Sequence, residues 1–260
     1  MTNPINEHKR ANLSDWLVEN LRLTLFTTPY DFSLERTYWQ SLMGQPAEKR
    51  TISAKTLLIN EEGPFENGML KVGSNPTRID WILVSDPTRG GGEEKPSLFI
   101  GSLESVKESF VKLMLEWLPN SPPSNRMAFG VVLHLPVNNL EEGYRRIAPY
   151  VDSVKLNAEG SSDFLYQINR PRKSLAVDIP DFKINRLSQW SVASSTALQI
   201  EIGPGQITAG KGKEEYTCRL ALDINTPIGF EGKLPSVKAP EIFKELVDLG
   251  MEIVREGDIP

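Results

Sequence analysis

The sequence predicts two α+β lobes of similar element order, each a mostly antiparallel sheet covered by a long helix. Three observations carry this reading. Apolar residues alternate with period two over many short runs. A strongly helical run closes each half, and the polar stretch Asn120-Ser-Pro-Pro-Ser-Asn125 stands between them. The lobes are therefore placed at residues 1–120 and 121–260, in the shared order strand, helix, several strands, long helix. No residue-level repeat accompanies that order, so duplication rests on element order alone, and the order leaves open whether the two sheets join into one continuous saddle or sit as separate lobes.

Residues 1–12 are polar and read as a frayed start. Leu21-Arg-Leu-Thr-Leu-Phe26 alternates like a half-buried strand. A short helix follows, with Ser33 as its cap, Leu34, Tyr38 and Leu42 on one face, and Gly44 at its C-terminal stop. Strands are expected near 52–59, 67–73 and 78–84, the last with Ile79, Trp81 and Leu83 on one face. The run from Asp86 to Pro96 reads as a polar loop. Ser102 then caps a helix whose Leu103, Val106, Phe110, Leu113 and Trp117 share a face, ended by Pro119.

In the second half, Met127–Leu135 reads as a strand. Leu140–Ala148 reads as a helix with Glu141–Arg145 and Glu142–Arg146 pairs on its surface. Strands are expected near 151–156, 164–169, 174–178, 189–202 and 215–225. A last helix begins at Pro240, with Ile242, Leu246, Leu249 and Ile253 inward.

Composition excludes several classes. The 260 residues are 39% hydrophobic and carry a net charge of −5, so polyphosphate binding needs a local basic patch. The single cysteine, Cys218, fits a reducing compartment. The N-terminus shows no apolar signal region and no run approaches membrane-spanning length, which predicts a cytoplasmic protein without a membrane partner. No cofactor is expected. With His8 and His134 the only histidines, a zinc site of the usual ligands is disfavoured. His134 alternates with Ala128, Gly130 and Val132 on one face of a strand and reads as structural.

Gly205-Gln-Ile-Thr-Ala-Gly210-Lys211 has the spacing of a phosphate loop. Gly212 replaces the hydroxyl residue that would hold magnesium, and strand-like runs on both sides predict a hairpin instead. Asp163, Asp181 and Lys183 loosely match the spacing of a metal-dependent nuclease, though Pro180 puts Asp181 in a turn. Glu201, Thr217, Arg219 and Asp223 fall on the polar faces of the last two strands, opposite Cys218.

The most distinctive segment holds two copies of Ile-Asn-Arg, at 168–170 and 184–186. Between Phe164 and Arg186 the basic residues Arg170, Arg172, Lys173, Lys183 and Arg186 outnumber Asp178 and Asp181, with Tyr166 and Trp190 nearby. Guanidinium forks suit phosphates and carboxylates. Asn169, Arg170, Arg172, Lys173, Asn185 and Arg186 are therefore the candidate binding residues, with internal ion pairing as the rival account.

Arg78-Ile-Asp-Trp81, together with length and element order, resembles the Arg/Trp strand motif of a sporadically distributed family of bacterial proteins. Asp80 stands where that family's Asn is expected. The resemblance implies no catalytic residue, and a setting tied to mobile elements or phage defence. Absent catalytic signatures and abundant strand edges together predict a non-enzymatic binding or assembly protein, a subunit of a bacterial complex. Nucleic-acid or nucleotide-phosphate binding through 170–186 is the alternative, and the metal-dependent nuclease a second.

Overall fold

Period-two alternation over 17–27 builds β1 (Leu17–Thr27), with Leu21, Leu23 and Leu25 fully buried. Helix α1 (Tyr38–Met43) follows. Its N-terminal cap position is Thr37, which makes no capping bond, while Ser33 accepts a hydrogen bond from the Glu35 amide in the preceding turn. Gly44 ends the helix in the left-handed conformation as predicted. The run expected at 52–59 is broken by a turn at Leu57 (φ 50°) into β2 (Lys49–Ser53) and β3 (Leu58–Phe65). Next come β4 (Gly68–Asn75), β5 (Arg78–Ser85), the two-residue β6 (Gly101–Ser102) and α2 (Leu103–Trp117), whose cap is the Ser102 hydroxyl.

The second half contains β7 (Ser124–Val137), α3 (Leu140–Ile147), β8 (Leu165–Asn169), the short β9 (Arg172–Lys173), the long hairpin β10 (Lys183–Gly203) and β11 (Gln206–Asn225), and α4 (Ala239–Glu256). The expected strands at 151–156 and 174–178 are not formed. The first is turn and coil after the short helix Ala148–Tyr150. In the second, Ser174 and the Leu175 and Ala176 amides bond the Glu245 carboxylate on α4 instead of a neighbouring strand. These elements come from a computed structural model that describes residues 10–86, 98–203, 206–230 and 232–260, with side chains described throughout except within 196–213. His8, Gly205 and nearly all of the predicted 86–96 loop lie outside the described residues.

The two predicted α+β lobes do not exist as such. Among the described residues the strands form one antiparallel sheet in the order β2-β3-β4-β5-β1-β7-β11-β10-β8, with β6 on β1 and β9 on β10. The halves fuse where β1 pairs with β7 along Leu17–Thr27. Each of these strands is hydrogen-bonded to its own half on one side, β1 to β5 and β7 to β11, and presents a bare ladder on the other. Two separate sheets would expose four edges, whereas one exposes two, which removes a run of unpaired backbone groups. The expected boundary is no hinge: the Pro123 carbonyl accepts from Thr28, and the Ser124 carbonyl from Leu234.

All four helices lie on one face. Trp117 of α2 meets Trp81 of β5 edge-on at 5.5 Å, and Phe243 of α4 meets Phe129 of β7 at 6.0 Å. Gly143 of α3 sits against Val192, and Trp39 of α1 against Gly63. Between helices and sheet lies a continuous apolar core in which Trp16, Tyr150 and Trp190 pack together, with Tyr150 and Trp190 stacked at 5.0 Å. The opposite face carries no helix among the described residues. No described helix is long and apolar enough to cross a membrane.

Candidate functional site on the helix-free sheet face

Residues directly opposite one another in a sheet point to the same side, so the register lays the helix-free face out in rows. One row runs Ile82, Arg22, Gly130, Asp223, Leu187, Asn169 across β5, β1, β7, β11, β10 and β8. On the β2 side it continues through Lys71, Glu62 and Lys49, with Glu62 bonded to both lysines at 3.1 and 3.3 Å. Those contacts, the Lys49 bond foremost, hold the Glu62 carboxyl below the usual range.

In the adjacent row Asp80 accepts from Arg78 at 2.6 and 2.8 Å and from the Thr24 hydroxyl at 2.5 Å. Asp80 is thus a structural anchor. Beyond it the Arg78 and Arg126 guanidinium groups lie 5.4 and 4.6 Å from the Phe26 ring.

A recess of about 670 Å³ opens at one end of this face. A bulge in β1 between Val18 and Asn20 turns Glu19 outward as well as Asn20. Glu19 thereby bonds His134 Nε2 at 2.7 Å, and the His134 ring rests 5.2 Å from Phe99. His134 is therefore a partnered wall residue on the open face rather than part of the core. Its Nδ1 stands 3.5 Å from the Thr217 hydroxyl, at the outer limit of a hydrogen bond. That hydroxyl is closer to the Leu135 and Cys218 carbonyls, at 3.2 and 3.1 Å. Thr217 is consequently not poised as a nucleophile with His134 as its base. The recess also takes in Glu214, Glu215, Val84, Leu98 and Pro136, and among its described lining residues there is no lysine or arginine.

The predicted basic cluster is brought together, but against the protein's own C-terminal segment. Arg170 forms a bidentate pair with Asp258, which also accepts from Tyr166 at 2.5 Å and Ser153 at 3.3 Å. Burial pushes the Asp258 carboxyl up, but its bonds from Arg170 and Tyr166 outweigh that and hold it below the usual range. Arg172 bonds Glu252 and the Pro260 carbonyl, both at 2.7 Å. Arg186 is only 1% exposed, donates to the Ile259 carbonyl at 3.3 Å and lies 3.6 Å from Glu252. Burial, then repulsion from Arg172, lowers its pKa.

Asn169, Asn185 and Asn225 form a ladder of amide bonds at 3.0 and 3.1 Å, and Asn169 also accepts from the Arg186 amide. Lys173 pairs with Lys183 in the β9–β10 backbone ladder. The twin Ile-Asn-Arg segments thus lock β8 and β10 to α4 and the segment after it.

Asp163 and Asp181 both occupy left-handed turns, at φ 53° and 58°. Among the described residues no group of three or more His, Cys, Asp or Glu is gathered to hold a metal ion. The backbone of 206–212 is strand, the hairpin predicted in place of a phosphate loop. Cys218 is buried, and burial pushes its thiol up to about 12.

No family model matches the chain, and no solved structure matches it. Among curated proteins it is similar to the neuronal cell adhesion molecule of Mus musculus, at 25% identity over 211 residues. The match covers 76% of this chain and 16% of that protein, so the chain spans a small part of that relative's length.

Proposed function

We propose that this is a non-enzymatic binding protein, a subunit of a larger assembly, that seats a basic, apolar-flanked segment of a protein partner on its helix-free face. The observation that carries the reading is the 670 Å³ recess, which Glu19, Glu214 and Glu215 line together with Val84, Leu98 and Pro136. Such a recess accommodates a lysine or arginine side chain whose neighbours are aliphatic or aromatic. The adhesion role named for the mouse relative is in keeping with protein binding. Against the nucleic-acid alternative, Arg170, Arg172 and Arg186 are bonded to the protein's own acids and carbonyls.

The test is a fluorescence-anisotropy screen of peptides in which Lys or Arg alternates with apolar residues. A binder is expected that weakens about tenfold or more on Glu19→Lys or Glu215→Lys and weakens further with salt. Binding indifferent to both reversals, or none at about 1 mM peptide, would sink the reading.

A further inference from the structure

A second recess, about 320 Å³, lies in the middle of the helix-free face and adjoins the acidic one at Asn20, which lines both. Its floor is Gly130, Val132 and Ala221, and Arg22 and Asp223 stand on either side. Strands are spaced about 4.8 Å apart, so two strand spacings separate the backbones of Arg22 and Asp223, with the missing side chain of Gly130 between them. The Arg22 guanidinium folds over that gap: a Cβ on Gly130 would come within 3.1 Å of its Nε and Nη2.

Each charged group keeps one unmet atom, although Asp223 also lies within the field of Arg126. Arg22 Nε and Asp223 Oδ1 are buried and have no hydrogen-bond partner. The neighbouring ion pairs on the same face are complete, Arg78 on Asp80 and both lysines on Glu62. Opposite charges set one glycine apart, each with an unmet buried atom, form a dipolar cradle rather than a salt bridge. A buried polar atom without a partner costs about 1–3 kcal/mol, more when charged, and a ligand that met both would recover that cost.

We propose that this recess binds a small zwitterion, a free aliphatic α-amino acid. Its carboxylate takes the Arg22 fork and its ammonium the Asp223 carboxylate, while its side chain lies along Leu187 and Val132. The volume is at the small end of ligand pockets, about 300–1,000 Å³. Arginine's planar donors match a carboxylate in bidentate fashion. Bound water could meet each orphan singly, but only a zwitterion satisfies both with full charges. A chain terminus carries one of the two charges and leaves the other orphan unmet. The proposal does not depend on the partner-docking reading.

Isothermal titration calorimetry of the full chain tests it with leucine, N-acetyl-leucine and leucinamide. Saturable binding of leucine is expected, with about a tenfold or greater loss when either charge is blocked. Arg22→Met and Asp223→Asn should each reproduce the corresponding loss, and Gly130→Ala should weaken leucine by crowding the guanidinium. The blocked ligands are read on the unaltered protein, so a variant that fails to fold does not shelter the idea. No saturable heat with any common amino acid at about 10 mM, or equal binding of the blocked and free forms, overturns it.

Discussion

Replacing Asp258 with alanine should strip the fold of its main C-terminal lock. The Asp258 side chain is 2% exposed and accepts from Arg170, Tyr166 and Ser153. Removing one partner of a buried ion pair costs about 3–5 kcal/mol, because the other charge is left without compensation. Arg170 is 29% exposed, so water restores part of its solvation, and the expected loss falls to roughly 2–4 kcal/mol. For a chain of this size that corresponds to a fall in Tm of about 5–15 °C. Urea unfolding followed by tryptophan fluorescence reads the change, and Asp258→Asn, which keeps the shape and loses the charge, should recover only part of it. A loss under about 1 kcal/mol for Asp258→Ala would refute the claim that the Ile-Asn-Arg arginines serve the fold, and would return them to the list of ligand-binding groups.

Two further outcomes follow from the same geometry. The folded Asp258 carboxyl titrates below its unfolded value, so its contribution is complete above the ordinary aspartate pKa of about 3.9 and is lost as pH falls through the folded pKa. The stability gap between the unaltered protein and Asp258→Asn should therefore narrow as acid is added, and a gap constant down to about pH 2 contradicts the assignment. Cys218, fully buried with its thiol raised to about 12, should resist a maleimide in the native state at pH 8 and react only with unfolding; stoichiometric labelling of folded protein would contradict its burial.

The helices were legible because their evidence is local. Ser102, the spacing from Leu103 to Trp117, the Glu141–Arg145 pair and Pro240 each act within a few residues. Strands buried on one face were legible for the same reason. What sequence reading could not supply is what joins to what. Nothing between Leu17 and Thr27 announces that its second neighbour is β7, because pairing depends on which edge is left bare once β5 has docked. The same gap affects the candidate site. Arg170 finds its acid 88 residues away and Arg172 80 residues away, so the sequence could name internal ion pairing as an account of the positive charge but not the acids that supply it. Arg22 and Asp223 read as ordinary polar positions on separate strands, and only the register shows that they flank one glycine.

Fusion of the halves also moves the place where a partner can bind. Two small sheets would have offered four edges for strand addition, which is what the sequence reading favoured. One sheet ends on two strands, β2 and β8, and neither invites extension, while the β10–β11 hairpin beyond Ser191 and before Tyr216 is paired only with itself. At β2 the terminal residues are Lys49 and Arg50, the first bonded to Glu62 and the second to Glu61 and the Leu34 carbonyl. Charged edges of this kind oppose pairing with another chain. At β8 the strand is only five residues long and runs into Arg170, which is held by Asp258. With the end strands blunted and the other face covered by α1–α4, the helix-free face is a described surface open to a partner, and its central recess holds two buried side-chain atoms, on Arg22 and Asp223, that have no partner.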